Sequence, residues 1–428
     1  MSNVQPLFLP EHLIAAHAIL LENDFPFQPV TFCFGPQGDC FVLSKLEYNY
    51  FRYDDTDKRG SFQCYVINAF GPDGSLSAIA EFSKLYERFN APGQDNWDQF
   101  DPYLWVSPQN MVVLSTQANR CFLFDAAMER ELGSYASFGK KAELHEVNFA
   151  YQIESAPDGR ILCLVGEPGL HTAHFSSNLV CISDGTALTA GHRPNLACIA
   201  CLKFRLEYES NSRFPYVRLP NGAAAGAGNR PEPSLEQQAK DTLGVSLNRP
   251  WIGQVLPLGS ETCVVSVYNG QMRGGSKGLP FVFGLLRYDG RLIGKLDGID
   301  EYEESPFVEY HFRLAVDHRH HRIIYKNKFA FYLFDFEGRL IEKVMLDGAD
   351  VKAASPMRLG CCGPTGQIVL YHPKQSLMLT IDPFEQSSDL RQALTASLVD
   401  YSTGRKNLKK AFDPVNYRWI SPQDAQRH

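Results

Sequence analysis

Apolar and polar residues alternate in short runs along most of the chain, and tight turns separate the runs. The clearest example is Phe331–Leu346, where an apolar run is followed by Glu337-Gly338 and then by a second run. Short runs rich in aromatic and β-branched residues predict strands, and a glycine between them predicts a hairpin. This stretch is therefore predicted to be two antiparallel strands joined by a tight turn.

Two sequence phrases recur along the chain. The first is a turn with proline followed by glycine or asparagine, after which a new apolar run begins: Gly35–Gly38, Phe70–Gly74, Val106–Asn110, Ala156–Gly159, Leu256–Gly259 and Cys362–Gly366. Proline presets φ for such a turn, and glycine or asparagine supplies its left-handed position. The second is an apolar run that ends in aspartate, often with a glycine close behind: Phe122–Asp125, Val180–Gly185, Leu286–Gly290, Leu333–Gly338 and Leu379–Asp382.

Together the two phrases predict units of four strands. The units begin near Val30, Tyr103, Tyr151, Gly253, Phe312 and Met357. One such unit cannot bury both of its faces, so neighbouring units must stack into a ring. The turns and the aspartate endings resemble those of the broad β-propeller group, which includes NHL-repeat, WD-like and SMP-30/gluconolactonase-like proteins. The resemblance covers most of residues 30–382 and implies an all-β propeller of six or seven four-stranded blades, with long loop insertions and short flanking helices.

The segments outside the repeated units divide the chain into three regions. Residues 1–29 are predicted to form an N-terminal helix, at about 5–23, and a lead-in. Residues 30–400 are predicted to form the propeller, with a flexible Ala- and Gly-rich insertion at about 221–250, and residues 401–428 to form a basic tail. Cys198–Glu207 and Tyr216–Leu219 are predicted as half of a seventh blade or as an inserted hairpin. Ser388–Leu398 is predicted as a helix or a closing strand, and Leu394–Tyr401 could close the ring.

The charge distribution limits the classes of partner. The formal net charge is −7, of which the tail carries +4 and residues 1–400 carry −11. An acidic body argues against a general nucleic-acid binder, which needs a basic face. The tail could bind nucleic acid or an anionic surface, but a tail lying on the acidic body is the favoured interpretation.

Cysteine usage and the N-terminal sequence favour a cytoplasmic protein. Eleven cysteines are an odd number, and most lie inside apolar strand patterns, as at Cys33, Cys163 and Cys263. This placement indicates reduced, buried thiols rather than a disulfide framework. The sequence from Met1 to Leu21 lacks the pattern of a secretion signal, and no window has the length of a membrane span.

Three clusters could carry metal or redox chemistry, and each has a plainer interpretation. Asp317–His321 contains three histidines but fits a polar turn, because its spacing supplies no further ligand. Cys198 and Cys201 form a Cys-x-x-Cys pair without a second pair, which favours buried thiols. Asp54–Asp57 lacks the spacing of a calcium loop. No cofactor or metal is predicted, and no His-Glu-x-x-His motif is found.

Acidic loops and an aromatic run are the predicted partner-binding residues. The residues are Asp297, Asp300, Glu301, Glu303, Glu304, Asp95, Asp98, Asp101, Tyr50 and Tyr53. Concentrated acidic side chains suit a basic partner, and exposed aromatic side chains are common interface anchors. The sequence thus favours a non-catalytic protein-interaction propeller, either a scaffold or an antidote-like (immunity) protein that neutralises a toxin or secreted effector, with no role for nucleic acid or membrane.

The alternative is a metal-dependent propeller hydrolase of the lactonase type. The resemblance to gluconolactonase-like proteins implies acidic ligands on inner strands, and Glu154 and Asp317 lie near the starts of predicted units. The glutamate-glycine-proline opening of that family is missing from the first unit.

Overall fold

The computed structural model describes most of the repeated units. The described residues are 3–10, 13, 27–51, 59–82, 103–107, 109–116, 120–136, 149–166, 177–184, 197–201, 216–218, 224–225, 235–246, 251–268, 281–299, 314–327, 329–346, 357–372, 377–383, 390, 392, 412–413 and 418–419.

The strands are short and follow one another through most of this range. In chain order they are β1 Asn3–Pro6, β2 Phe27–Phe34, β3 Cys40–Phe51, β4 Arg59–Phe70, β5 Leu76–Glu81, β6 Tyr103–Val106, β7 Val112–Thr116, β8 Arg120–Phe124, β9 Glu131–Ala136, β10 Phe149–Ser155, β11 Arg160–Gly166, β12 Ser177–Asp184, β13 Ala197–Cys201, β14 Tyr216–Arg218, β15 Ala224–Ala225, β16 Trp251–Pro257, β17 Thr262–Tyr268, β18 Phe281–Arg287, β19 Leu292–Lys295, β20 Leu314–Asp317, β21 Arg322–Lys326, β22 Ala330–Asp335, β23 Leu340–Met345, β24 Arg358–Cys362, β25 Ile368–His372, β26 Leu377–Ile381, β27 Phe412–Asp413 and β28 Arg418–Trp419. A helix, α1, spans Leu235–Leu243.

Antiparallel pairing groups these strands into six four-stranded sheets within the described ranges. Five sheets are consecutive in sequence: β2–β5, β6–β9, β10–β13, β16–β19 and β20–β23. In the sixth, β24, β25 and β26 are completed by β1, which pairs with β26 so that Asn3 faces Thr380. The first strands of the six sheets contact one another in order, and β24 returns to β2. This closed ring of radially arranged sheets is a β-propeller, and each sheet is one blade.

Five of the six predicted proline-containing turns form hairpins between first and second strands, and Phe70–Gly74 joins the third and fourth strands of the first blade. The amide of Gly38 donates to the carbonyl of Gly35 at 3.0 Å, and that of Gly159 donates to Ala156 at 2.9 Å. The fourth residue of the turn takes a positive φ, which is 93° at Gly38 and 84° at Gly159. Asn110 fills the same position with φ of 58°. Glycine and asparagine stand there because other side chains resist a left-handed backbone.

The core lies between blades rather than within one of them. Each core cluster combines buried side chains from neighbouring sheets, such as Ile324 of β21 with Leu370 of β25. Where the ring closes, the rings of Phe32 and Tyr371 pack with centroids 4.8 Å apart. Burying each large apolar side chain contributes about 1.5–3 kcal/mol, so stacking neighbouring blades is the main source of stability.

Polar side chains join the inner strands of three pairs of blades. A register irregularity precedes Thr31, Gln152 and Gln254. These side chains are buried and reach the next blade: Leu104 N donates to Thr31 Oγ1 at 3.2 Å, Val255 N to Gln152 Oε1 at 2.9 Å, and Leu314 N to Gln254 Oε1 at 3.2 Å. In each pair, a backbone N–H group of one inner strand is thereby hydrogen-bonded to a side-chain oxygen of the neighbouring blade.

The structure confirms an all-β propeller and corrects several predicted details. No seventh four-stranded sheet is found among the described residues, because Ala197–Cys201 is the outer strand of the third blade and Tyr216–Arg218 pairs with Ala224–Ala225. Flanking helices are nearly absent there. The predicted helix at 5–23 begins instead as strand β1, and only its Leu13 is described as helical. Helix α1 lies within the segment predicted as an insertion, and its Gln238 donates to Gly290 O and accepts from Leu292 N of the fourth blade.

The closing strand comes from the N-terminal side. Leu394–Tyr401, which was predicted to close the ring, lies outside the described residues, as does most of the basic tail. A chain end that completes the last blade joins distant parts of the sequence by backbone hydrogen bonds. Within the described part of the chain, no helix has the length and apolar character needed to cross a membrane.

Candidate functional site

The first strands of all six blades surround a cavity of about 430 Å³. Its walls are mainly apolar and include the aromatic residues Phe32, Phe34, Tyr103 and Trp105. The cavity reaches the end of the ring where the turns between first and second strands lie. A mainly apolar cavity of this size with a few polar groups is typical of small-ligand sites.

Prolines form much of the rim at that end. Pro36, Pro157, Pro257 and Pro364 line the cavity from four blades, and His318 takes the corresponding place in the fifth. Burial lowers the pKa of His318 below its ordinary value, against the attraction of neighbouring Asp317. The imidazole is therefore neutral at pH 7, and the rim is largely uncharged.

Glu154 is the carboxylate among the described residues that line the cavity, and no lysine or arginine is among them. Its Oε1 accepts a 2.6 Å hydrogen bond from the Tyr103 hydroxyl and a 2.8 Å bond from Gln152 Nε2. Burial raises the pKa of Glu154, and the two hydrogen bonds, which favour the charged form, only partly oppose it. Burial and the nearby Glu154 raise the pKa of Tyr103 well above its usual value, so this hydroxyl remains a donor.

Thiols also face the cavity. Cys33 and Cys361 lie on the inner strands of the first and sixth blades, which meet where the ring closes. Burial raises the pKa of both thiols well above the ordinary value, and the nearby Cys40 and Glu154 add to the effect. Both cysteines are free thiols. A buried neutral thiol acts as a small apolar group rather than as a nucleophile.

The histidine cluster at Asp317–His321 does not converge on a common point. The Asp317 side chain is fully buried, and its Oδ2 lies 2.7 Å from both His320 Nδ1 and Arg322 Nη2. His321 instead stacks on Phe336, with ring centroids 5.3 Å apart and an interplanar angle of 6°. In the described part of the chain, no three His, Cys, Asp or Glu side chains are grouped to hold a metal ion.

The other predicted chemical clusters separate in the structure. Glu154 faces the cavity, whereas Asp317 is paired with Arg322 in a turn and does not line it. Cys198 lies on β13 opposite Cys181 of β12, and Cys201 ends the same strand. The side chains of Cys198 and Cys201 lie outside the described set, as do all atoms of Asp54–Asp57.

The predicted partner-binding residues are described only in part. Asp297 follows β19, with its side chain 70% exposed and 2.9 Å from Lys295 Nζ. Its amide donates to Gly338 O of the next blade at 3.3 Å. Tyr50 lies on β3 with its backbone opposite Gly60, and its side chain is not described. The remaining predicted residues lie outside the described ranges: Asp300, Glu301, Glu303, Glu304, Asp95, Asp98, Asp101 and Tyr53.

The network around Glu154 was not predicted from the sequence, apart from Glu154 itself. Tyr103, Gln152, Cys33 and Cys361 were missed. One signal was available, since a polar residue recurs early in the first strand of several units, as Thr31, Gln152 and Gln254. Pairing of Tyr103 with Glu154 across two blades could not be found, because it depends on how the sheets are placed around the ring.

Comparison with known proteins yields a structural likeness alone. The WD40 domain of Pan2 from Neurospora crassa resembles the chain with a TM-score of 0.39 and 6% sequence identity, over 82% of this chain and 88% of that one. No family model matches the chain, and no curated protein matches it. The protein is thus defined by its own strand pairing as a β-propeller.

Proposed function

We propose that this propeller is a non-catalytic interaction protein that binds a basic protein partner through its acidic edge. The acidic edge is Asp297 together with Asp300, Glu301, Glu303 and Glu304, which follow it in sequence. The observation that carries the proposal is the placement of Asp297. It is exposed and hydrogen-bonded to the next blade, at a junction where large apolar side chains are also exposed.

The apolar side chains lie on the outer strands of the fourth and fifth blades. Ile293 of β19 is 51% exposed, and Leu340 and Ile341 of β23 are 37% and 55% exposed. The hydrogen bond from Asp297 N to Gly338 O joins these two blades beside them. Exposed apolar side chains with a charged rim are typical of protein-binding surfaces. The apolar side chains would supply contact area, and the acidic residues would orient a basic partner on the surface.

The charge balance supports a basic partner. Residues 1–400 carry a formal charge of −11, and five acidic residues lie within the eight positions 297–304. Complementary charge accelerates encounter and excludes acidic competitors. A basic toxin or effector neutralised by this chain, or a basic subunit held on a scaffold, would meet these requirements. The segments that contain Asp95, Asp98, Asp101, Tyr50 and Tyr53 are proposed as a second, independent contact.

The proposal is tested by capturing partners from native extract with the tagged protein and identifying them by mass spectrometry. The test variant replaces Asp297 and Asp300 with Asn, and Glu301, Glu303 and Glu304 with Gln. We expect the wild type to retain one stoichiometric basic protein and the variant to retain at least tenfold less, since each lost charge slows encounter and weakens the complex.

A matched control separates this edge from a general charge effect. Asp73→Asn removes an exposed carboxylate from a turn of the first blade and should leave capture unchanged. Equal capture by wild type and the edge variant would refute the acidic edge as the binding surface. Absence of any stoichiometric protein would refute the interaction function.

A further inference from the structure

One oxygen of Glu154 has its hydrogen-bonding capacity filled, and the other does not. Tyr103 and Gln152 both donate to Oε1. Among the described residues no donor reaches Oε2, and Glu154 has no further partner there. The side chain is only partly buried and lines the cavity. Oε2 is therefore an acceptor available to a molecule that enters the channel.

We propose that the channel binds a primary amine on an unbranched apolar stem, with the ammonium group on Glu154 Oε2. The stem would lie along the aromatic walls formed by Phe34, Tyr103 and Trp105. This site is separate from the acidic edge and does not depend on the proposed function.

The charge of the cavity selects a cation over other ligands. When it is ionised, the Glu154 carboxylate has no lysine or arginine beside it among the described lining residues, so a bound cation would be its counter-charge. Tyr103 and Gln152 hold the group as an acceptor, which prepares it for a positively charged donor. Hydrogen bonds to a charged partner in such surroundings are stronger than neutral ones. Aromatic walls also tolerate an ammonium group over their ring faces.

The shape of the cavity selects the stem. Four prolines at the rim and aliphatic residues such as Leu256 and Val316 supply no further donors for polar substituents. A volume of about 430 Å³ exceeds that of a six-carbon chain, so the cavity has room for an alkylamine of this length. The same chemistry is offered by a free amine and by a lysine side chain presented on a protein.

The first experiment measures binding of hexylamine, hexan-1-ol and hexanoate to the purified full chain by isothermal titration calorimetry at pH 7.5. We expect hexylamine to bind at least about tenfold more tightly than hexanol, because hydrogen bonds to charged groups are worth about 1.5–3 kcal/mol. Equal affinity for the amine and the alcohol, or tighter binding of hexanoate, would overturn the proposal. Tighter hexanoate binding would show that Glu154 acts as a proton donor instead.

Two variants localise the site. Glu154→Gln keeps an oxygen for Tyr103 and removes the charge, so the preference for hexylamine over hexanol should vanish. Asp73→Asn removes one exposed charge elsewhere and should keep the preference. A preference that survives Glu154→Gln would refute Glu154 as the binding group.

A pH series on the wild type gives a measurement that needs no variant. Because burial raises the pKa of Glu154, the carboxylate gains its charge later than an exposed glutamate as the pH rises. Affinity for hexylamine should therefore rise with pH over a range above that in which an exposed glutamate ionises, while affinity for hexanol stays level. A flat profile for the amine would contradict the proposal.

A last arm separates the two sources of the amine. A glycine-flanked lysine peptide with blocked ends is titrated under the same conditions. Binding of hexylamine and peptide together indicates a site that accepts a protein side chain. Binding of hexylamine alone indicates a small-molecule site, and binding of neither overturns the proposal. The acidic-edge variant should bind hexylamine as the wild type does, so this site and the proposed partner surface can fail separately.

Discussion

Gln254 and Leu314 join the fourth and fifth blades through a reciprocal pair of hydrogen bonds. The side-chain amide of Gln254 donates to Leu314 O at 3.0 Å and accepts from Leu314 N at 3.2 Å. Both residues are buried, on the inner strands β16 and β20. The Gln254 side chain pairs with both backbone groups of Leu314, as the backbone of a neighbouring strand would. Hydrogen bonds between blades therefore stabilise the ring in addition to apolar packing.

Replacing Gln254 with leucine should destabilise the protein. The change leaves both backbone groups of Leu314 buried without partners, and each unpaired group costs about 1–3 kcal/mol. We expect a loss of about 2–4 kcal/mol in the free energy of unfolding, measured by urea titration. Gln237→Leu, the same change on the exposed face of α1, is the control and should alter stability far less. Similar losses for both variants would contradict this role of Gln254.

Asn68 should stabilise the N-terminal segment that contains β1 and closes the ring. Its side chain accepts from Phe8 N at 2.6 Å and donates to Phe8 O at 2.9 Å. Because β1 belongs to the sixth blade and Asn68 to the first, this contact spans the closure. Asn68→Ala should therefore accelerate amide exchange over residues 3–8, measured by hydrogen–deuterium exchange. Ser77→Ala removes a hydrogen bond to Ala69 O within the first blade alone, and it should leave that exchange unchanged.

The Asp317 carboxylate should make stability depend on pH in the acid range. Burial alone would raise the pKa of Asp317, but hydrogen bonds from Arg322 and His320 together outweigh it and lower that pKa below 3.8. A lowered pKa in the folded state stabilises the protein above the unfolded-state value, and this contribution is lost as the pH falls through the lowered pKa.

Asp317→Asn should therefore lower the free energy of unfolding by about 3 kcal/mol at pH 7, because Arg322 loses its buried carboxylate partner. The difference from wild type should shrink as the pH falls through the lowered pKa of Asp317, where the native carboxylate gains a proton. Urea titrations at pH 7 and at successively lower pH values test this. Asp289→Asn should show a much smaller pH-dependent difference, because its pairing with Arg291, which also lowers the pKa of that carboxyl, is exposed and screened by solvent. A difference for Asp317→Asn that stays constant with pH would contradict the assignment.

The buried thiols should resist alkylation in the native protein. Burial raises the pKa of Cys40 to about 12, so at pH 8 only about one thiol in ten thousand is ionised. Native Cys40 should react with iodoacetamide about a thousandfold more slowly than in the urea-unfolded chain. Peptide mass spectrometry gives the rate at each site. Labelling of Cys40 at the unfolded rate would show that the first blade opens readily.

The repeat architecture was predictable because short stretches of sequence specify the turns and the strands of each unit. Proline and glycine mark the hairpins at positions such as Gly38 and Gly159, and apolar alternation marks the strands. The six predicted unit starts lie close to the first strands of the six observed sheets, from β2 at Phe27 to β24 at Arg358.

The closure and the channel were not predictable on the same grounds. Pairing of Asn3 with Thr380 joins residues that are far apart in the sequence, and no local pattern specifies it. Likewise, Tyr103 meets Glu154 only because adjacent blades bring their inner strands together. Leu394–Tyr401 carries enough apolar residues to suggest a closing strand, yet the described outer strand of the last blade is β1, which pairs in register along β26.

The proposed partner of this propeller is a basic protein held at the acidic edge. The most direct measurement is native mass spectrometry of the complex captured on the tagged wild-type chain, compared with the variant neutralised at Asp297, Asp300, Glu301, Glu303 and Glu304. The proposal predicts one copy of a basic protein on the wild-type chain and a bare chain for the variant. A bare wild-type chain, or the same complex on both proteins, would contradict it.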